Sequence, residues 1–321
     1  MLFDIALPTA VFLIALVSTL VYGKAEKRVK TMFEDKEFSI RDAALLVVAM
    51  GTMVSVLVVF PTQAILVLFL WVYSVALFMV IYLISKKWYF GPIGPAVFLA
   101  LYFLFRGTSL WNFWLLDLFA VIFVVFITVY IGSLFTWKTT LVFALILTIM
   151  DVIQVLITGY MVKTSEKIIS LYLPVFIVLP VVPYLTPTLG LGLGDLFLTG
   201  LLSIQTTKKY GRRVALSALL SISIVFGIVE VFMLNYFPEQ ALPATVMIFG
   251  GWLIAISYNQ RAFIMSSPYL TEVTAFTVLT VLGIIGALAQ STWWLFPTLT
   301  FVLLGIAATI ENRYRRVKGD S

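Results

Sequence analysis

Residues 139–161 have the sequence TTLVFALILTIMDVIQVLITGYM, an apolar run in which Asp151 is the only charged side chain. An α-helix needs about 20 consecutive apolar residues to cross the hydrocarbon core of a bilayer. A carboxyl group at that depth costs several kcal/mol, so it persists there for a function or because it has a partner. The run therefore predicts a membrane-spanning helix that carries a carboxyl group inside the membrane.

Similar apolar runs extend along the whole chain. Of its 321 residues, 62% are apolar and only 11% are charged, which is far from the composition of soluble globular domains. The first run is expected to be a span rather than a cleaved leader, because no Lys or Arg precedes it and no small-residue cleavage pattern follows it. We expect an all-α polytopic membrane protein with eleven spans, at residues 5–22, 43–60, 64–85, 91–106, 114–135, 139–161, 189–205, 214–235, 243–258, 270–289 and 293–310.

The basic residues indicate how these spans are oriented. The net charge is +6, but Lys and Arg lie in short loops between apolar runs, so the charge predicts membrane topology rather than binding to nucleic acid. With these spans, all but three of the 21 Lys and Arg residues fall on one side, the exceptions being Arg106, Lys163 and Lys167. Cytoplasmic loops carry such an excess. We therefore expect the N-terminus outside the membrane and the C-terminus in the cytoplasm.

Two residue types that are absent narrow the possible chemistry. The sequence contains neither Cys nor His. Without Cys there are no disulfides, no thiolate nucleophile and no Cys-based metal site. Without His there is no Ser-His pair, no HExxH zinc peptidase and no His-ligated redox centre. We expect neither a metal nor a cofactor.

The segment before Asp195 departs from a helical pattern. Residues 168–188 are apolar but contain four prolines, which one regular lipid-facing helix cannot hold, so an irregular or extended segment shielded by the surrounding helices is predicted. Residues 190–195, GLGLGD, then place glycine at every second position, a spacing that does not line one helical face. This predicts an extended approach to the seventh helix, where a second backbone can come close. Tight helix packing also favours small residues, but it gives no reason for the acid.

Other acids lie in or near the predicted spans. Asp195 falls within the seventh span and is the second candidate for a functional carboxyl group. Asp117, near the outer end of the fifth span, is expected to face water. Glu230, in the outer half of the eighth span, is expected to be a buried, neutral carboxyl group that is hydrogen-bonded to a neighbouring helix.

These residues resemble the motifs of the GxGD intramembrane aspartyl proteases, the group that contains presenilin and signal peptide peptidase. Residues 192–195, GLGD, match the GxGD motif, and Asp151 followed by Val155 is similar to the first motif of the family, one span earlier. Residues 173–180, LPVFIVLP, resemble the proline-bounded segment that leads to GxGD. Residues 241–245, ALPAT, resemble the ALPAL sequence that carries the third motif.

The resemblance implies both a fold and a site. The fold would be a presenilin-like nine-helix core plus two extra C-terminal transmembrane helices. Residues 1–138 would hold helices 1–5, residues 139–258 the catalytic helices 6–9, and residues 259–321 the two additional helices and a cytoplasmic tail. Asp151 and Asp195 would form the catalytic dyad, acting on transmembrane peptides or proteins within the lipid bilayer. The substrate-binding residues that the resemblance implies are Gly192, Leu193, Gly194, Pro243, Ala244 and Thr245.

The chain departs from the family pattern at three positions. Met150 replaces the tyrosine that usually precedes the first aspartate, Thr245 replaces the last leucine of the third motif, and Thr199 stands where signal peptide peptidases often have proline. A competing third motif, residues 297–299, lies in the last span. With the predicted topology, the segment between the catalytic spans lies outside, as in signal peptide peptidase, which implies type II spans or remnant signal peptides as substrates.

Two other functions are compatible with intramembrane acids. A proton-coupled secondary transporter would use Asp151, Asp195 and Glu230 as a relay, but it predicts inverted repeats, and the first half of the chain has no counterpart of residues 190–195. A prepilin-type peptidase also uses two aspartates with a GxGD-like motif. Those enzymes are typically smaller and lack a matching Pro-Ala segment.

Overall fold

The computed structural model of the chain describes residues 2–32, 36–108, 110–111, 113–237 and 240–259, and this part is mainly helical. One β-hairpin, formed by β1 (Phe176–Pro180) and β2 (Thr188–Gly192), lies between helices α7 and α8. A short 3-10 helix (Trp88–Phe90) precedes α4, and a π-helical turn (Ile153–Ile157) follows α6. The α-helices are α1 (Ala6–Met32), α2 (Ile40–Val59), α3 (Thr62–Ser85), α4 (Ile93–Phe105), α5 (Phe113–Gly132), α6 (Trp137–Val152), α7 (Tyr160–Ile169), α8 (Leu193–Tyr210), α9 (Arg212–Tyr236) and α10 (Ala244–Asn259).

Seven helical stretches are long and apolar enough to cross a membrane, which confirms a helical, multi-pass membrane protein. They correspond to the first six predicted spans and the eighth. The seventh and ninth predicted spans correspond to α8 and to the shorter apolar helix α10, which has 16 residues. The predicted spans at 270–289 and 293–310 lie outside the described residues. The seven stretches are Ala6–Glu26, Ile40–Val59, Thr62–Ser85, Trp88–Phe105, Trp114–Gly132, Trp137–Ile157 and Arg212–Tyr236.

Helix α8 is the central element of the described part. Every residue from 196 to 206 is buried, and the helix packs against α1, α5, α6, α9 and α10. A helix that is enclosed on all sides needs no polar face. Gly200 allows α5 to approach closely, since a Cβ atom there would lie 2.6 Å from Cγ2 of Thr128. This packing fixes α8 among its neighbours and so fixes the position of its first turn.

The sixth predicted span, residues 139–161, is present as one helical stretch, Trp137–Ile157, which ends four residues before the predicted boundary. Helix α6 ends at Val152, and after the π-helical turn the chain reverses at Gly159, whose φ is 64°. A left-handed glycine is a common helix terminator, and apolar residues continue through the break, so hydropathy alone does not detect it. The amphipathic α7 then packs on α2, where the Lys167 ammonium donates to the Val58 carbonyl near the end of that helix.

Three aromatic side chains anchor the segment that leads into the hairpin. Each donates a hydrogen bond to a backbone carbonyl in residues 171–174, so carbonyls outside any helix or strand are satisfied inside the protein. Because these donors come from α3, α4 and the loop before α5, the start of β1 is tied to three parts of the chain. The pairs are Tyr73 with Pro174, Tyr102 with Leu171 (2.8 Å) and Trp111 with Tyr172 (3.0 Å).

The hairpin confirms the extended structure predicted for the proline-rich and glycine-rich segments. Strands β1 and β2 are antiparallel, with Val178 opposite Gly190. The ladder continues to the helix, because the Leu193 N–H donates to the Val175 carbonyl at 3.2 Å. Strand β2 therefore runs directly into the first turn of α8.

Gly251→Ala is expected to lower the free energy of unfolding by about 1–3 kcal/mol. A Cβ atom at this position would lie 2.7 Å from the Ile222 Cα, so the backbones of α9 and α10 would have to separate. The matched control is Gly23→Ala in α1, where the new methyl group would meet nothing within 4 Å and alanine is the better helix former. Thermal unfolding in detergent should show a lower Tm for the first variant only. Equal Tm values would contradict the close packing.

Candidate active site

Asp151 lies at the penultimate residue of α6, immediately before the π-helical turn. Its side chain is 9% exposed. The Thr245 hydroxyl, at the start of α10, donates a hydrogen bond to its Oδ2 atom at 2.7 Å. Single π-helical turns inside α-helices frequently occur at functional sites. The carboxyl group of α6 is therefore held by a residue of α10 that lies 94 positions away in the sequence.

Asp195 lies in the first turn of α8, where Gly192 is the N-cap. The first turn of a helix favours negative charge, because its backbone N–H groups are unpaired and the helix dipole is positive there. The side chain is half-buried, and the Thr199 hydroxyl donates to the Asp195 backbone carbonyl at 2.9 Å. Thr199 thus adds a second donor to a carbonyl of this turn without interrupting the helix.

The two carboxyl groups meet at one cavity. Both line a space of about 80 Å³. About 10–15 Å³ of such space is enough for one water molecule, so this cavity has room for several. Its lining is mainly apolar, and it also includes Gly192, Gly194 and Thr245. Two carboxyl groups and a threonine therefore share a mainly apolar cavity that is large enough for water.

Helix α2 supplies the opposite wall of this cavity. The Gln154 amide donates to the Gly51 carbonyl at 2.7 Å, and Met150 packs directly on Gly51, where a Cβ atom would lie 2.7 Å from the Met150 Sδ. Gln154 also lines the cavity. The hydrogen bond of its amide connects the π-helical turn after α6 to α2. Nothing in the sequence singles out Gly51, a lone glycine in an apolar helix.

The residues predicted to bind substrate do not all reach the cavity. Gly192, Gly194 and Thr245 line it. The other three are not part of its lining: Leu193, Pro243 and Ala244, which are buried in the packing around it.

The two outer edges of the hairpin differ. The Leu193 N–H donates toward β1, so by the alternation of antiparallel strands Gly190 and Gly192 direct their backbone groups away from β1. The N–H groups of these two glycines have no hydrogen-bond partner among the described residues. Within residues 2–259, as far as the structure describes them, the outer edge of β2 next to Asp195 is therefore open.

Two acids outside the cavity hold the other edge of the hairpin. Asp117 was expected to face water but is buried, and its Oδ1 accepts the Val178 N–H at 2.9 Å. Asp4 is also buried, and its Oδ1 accepts the Val182 N–H at 2.8 Å. Asp4 was missed, although an acid just before the first apolar helix is a typical N-cap signal. Its carboxylate does accept the N–H of Leu7 at 2.9 Å.

Glu230 is buried as expected, but the expected hydrogen bond to a neighbouring helix is not present. Neither of its carboxyl oxygens has a hydrogen-bond partner in the part of the chain that the structure describes. It lies apart from the cavity that Asp151 and Asp195 share. Within that same part, no three acidic side chains cluster closely enough to hold a metal ion.

No protein-family model matches this chain, and no curated protein matches it at a significant level. Any assignment of function therefore depends on the motifs and on the geometry of the site.

Proposed function

We propose that this chain is an intramembrane aspartyl protease of the GxGD type, which hydrolyses peptide bonds of transmembrane segments with Asp151 and Asp195. The observation that carries the proposal is the meeting of these two carboxyl groups, from α6 and α8, at one cavity with room for water. Each belongs to a short sequence that resembles a motif of that family. The site needs neither histidine nor a metal, which agrees with the absence of histidine and cysteine.

Two neighbouring carboxyl groups can supply both proton transfers of peptide hydrolysis. Like charges at close range do not both ionise readily, so the pair shares one proton. The ionised carboxylate takes a proton from water as the water oxygen attacks the scissile carbonyl, and the other carboxyl group donates its proton to the carbonyl oxygen. When the C–N bond breaks, the dyad gives a proton to the leaving amine and takes one from a hydroxyl group of the tetrahedral intermediate, which becomes the new carboxyl group. The pair then again shares one proton, and the roles of acid and base belong to the pair.

A helical substrate has to unwind before it can be cut, because its scissile carbonyl is held in the helix hydrogen-bond ladder. The open edge of β2 offers the N–H groups of Gly190 and Gly192 to an extended backbone. Strand addition there satisfies substrate groups that unwinding frees. It also places the substrate backbone beside a strand that ends three residues before Asp195.

Thr245→Val is expected to slow cleavage by about tenfold, since the variant keeps the shape of the side chain but loses the hydrogen bond to a catalytic carboxylate. Thr245→Ser keeps the hydroxyl and is expected to stay within about threefold of the wild-type rate. Initial rates on a transmembrane reporter, with Tm measured in parallel, separate catalysis from folding. Equal rates for the two variants would remove Thr245 from the site.

The proposal includes the architecture and orientation that the sequence implies. The fold is a presenilin-like nine-helix core followed by two further helices, with the N-terminus outside and the C-terminus in the cytoplasm. The distribution of Lys and Arg between the predicted loops supports this orientation. Substrates are then type II spans or remnant signal peptides, and the partners are these substrates and the lipid bilayer, not nucleic acid.

A reconstituted cleavage assay tests the function and the orientation together. Purified protein in liposomes is incubated with a single-span reporter in the type II orientation and, separately, in the type I orientation. Cleavage inside the type II span supports the proposal. Cleavage of only the type I reporter would mean that the chain has the opposite orientation, while the proposed chemistry would stand. No cleavage of either reporter by folded protein, together with proton-coupled uptake, would favour the transporter.

A further inference from the structure

The outer edge of β1 is closed by two carboxylates. Along this edge the outward positions are Phe176, Val178 and Pro180 in the strand and Val182 just after it. Asp117 accepts the N–H of Val178 at 2.9 Å, Asp4 accepts the N–H of Val182 at 2.8 Å, and proline has no N–H to offer. From Val178 to Val182 no outward donor is therefore left for another strand, and only Phe176, at the start of β1, keeps one.

These carboxylates come from different parts of the fold. Asp117 belongs to the first turns of α5, and Asp4 precedes α1, where its carboxylate also accepts the N–H of Ala6 at 3.0 Å. Both side chains are buried, at 8% and 7% exposure. An apolar residue at either position would leave a partly buried backbone N–H of this segment without its acceptor, which costs at least the hydrogen bond that is lost. The two acids thus fix the outer edge of β1 to two helices.

A hairpin with both edges open accepts a strand on either side. A strand beside β2 lies next to the chain that enters α8 and carries Asp195. A strand beside β1 would lie about 10 Å from that chain rather than about 5 Å, because neighbouring strands are about 4.8 Å apart and β1 would intervene. Only addition to β2 is therefore productive.

We propose that Asp117 and Asp4 are positioning residues for the cleavage reaction: by closing the outer edge of β1 they direct an extended substrate to β2 and fix its register at Asp195. This inference rests on the proposed function. Neither residue touches the reacting atoms. The requirement is for a hydrogen-bond acceptor rather than for a negative charge, so an amide oxygen at the same place serves equally well.

Asp117→Leu and Asp117→Asn test the inference by the products that they release. Mass spectrometry of the reporter fragments should show a wider spread of cut positions and about a tenfold lower kcat/KM for the leucine variant. The asparagine variant should keep the wild-type cut positions, since its side-chain oxygen accepts the Val178 N–H. The control is Leu118→Ala, a change at the next residue of α5, whose side chain is 54% exposed at the lipid-facing surface.

Amide hydrogen exchange gives a second measurement that does not need activity. Residues 176–182 should exchange faster in Asp117→Leu than in wild type or Asp117→Asn, while residues 188–192 should not change. If Asp117→Leu fails to fold, Asp117→Ala takes its place, with the same expectations. Wild-type cut positions and wild-type exchange in the apolar variant overturn the inference and leave the protease proposal intact. Absence of cleavage by wild type overturns the protease proposal, and with it the positioning role, while the exchange data still report whether Asp117 holds β1.

Discussion

Asp151→Asn and Asp195→Asn are each expected to reduce cleavage of a type II reporter by at least about a thousandfold, and the double variant is expected to be no slower than either single variant. The reason is that one shared proton serves both carboxyl groups, so the loss of either group removes the whole dyad. Asparagine has nearly the shape of aspartate, so packing around the cavity should persist. Initial rates in liposomes measure the effect.

The matched control for the dyad is Glu230→Gln. Glu230 is a buried carboxyl group in a membrane-spanning helix, as Asp151 is, but it lies outside the shared cavity. Its amide variant is expected to cut at the wild-type rate. If a dyad variant keeps the wild-type rate, or if Glu230→Gln is silent while folded, the assignment of the dyad is wrong.

Gly192→Val is expected to lower the cleavage rate by about a hundredfold while the protein stays folded. The backbone at Gly192 has φ −67° and ψ 146°, which any residue adopts, so glycine is not needed there for its conformation. It is needed for room: even a Cβ atom would lie 3.3 Å from Oδ2 of Asp195 and 3.9 Å from the Phe176 ring. The branched side chain of valine pushes the carboxyl group away from its partner.

Gly190→Ala is the comparison for this variant. A Cβ atom at Gly190 would meet the Ile177 carbonyl and the Val178 side chain at 3.9 Å, which is ordinary contact. Its effect on the rate is expected to stay below about fivefold, since the backbone N–H remains available. Circular dichroism and Tm confirm folding of both variants. Equal losses at the two positions would mean that the strand as a whole, rather than room beside Asp195, is what glycine provides.

The sequence allowed the main features around the dyad to be predicted. Apolar runs predicted most of the spans, because length and hydropathy alone decide whether a helix can cross a bilayer. The prolines and alternating glycines predicted extended structure before Asp195, since neither pattern suits a regular helix. Motif resemblance and span order suggested that Asp151 and Asp195 belong to one site, and the structure brings them to one cavity.

Other features depended on contacts that are distant in the sequence. The helix end at Gly159 lies inside a continuous apolar run, so hydropathy places the end of the sixth span a few residues too late. Asp117 was expected to face water because it lies near a helix end, but its side chain is buried and accepts an N–H of β1. The segment that contains β1 is held by hydrogen bonds to α3, α4 and α5 that no local pattern reveals.

The most direct test of the protease proposal is hydrolysis of a type II reporter by purified protein in liposomes, in water enriched in oxygen-18. We expect two fragments whose junction lies inside the membrane span, with the heavy oxygen in the new carboxyl group. The Asp151→Asn/Asp195→Asn double variant should release neither fragment. An intact reporter with folded wild-type protein, or the same fragments from the double variant, would contradict the proposal that Asp151 and Asp195 hydrolyse the substrate.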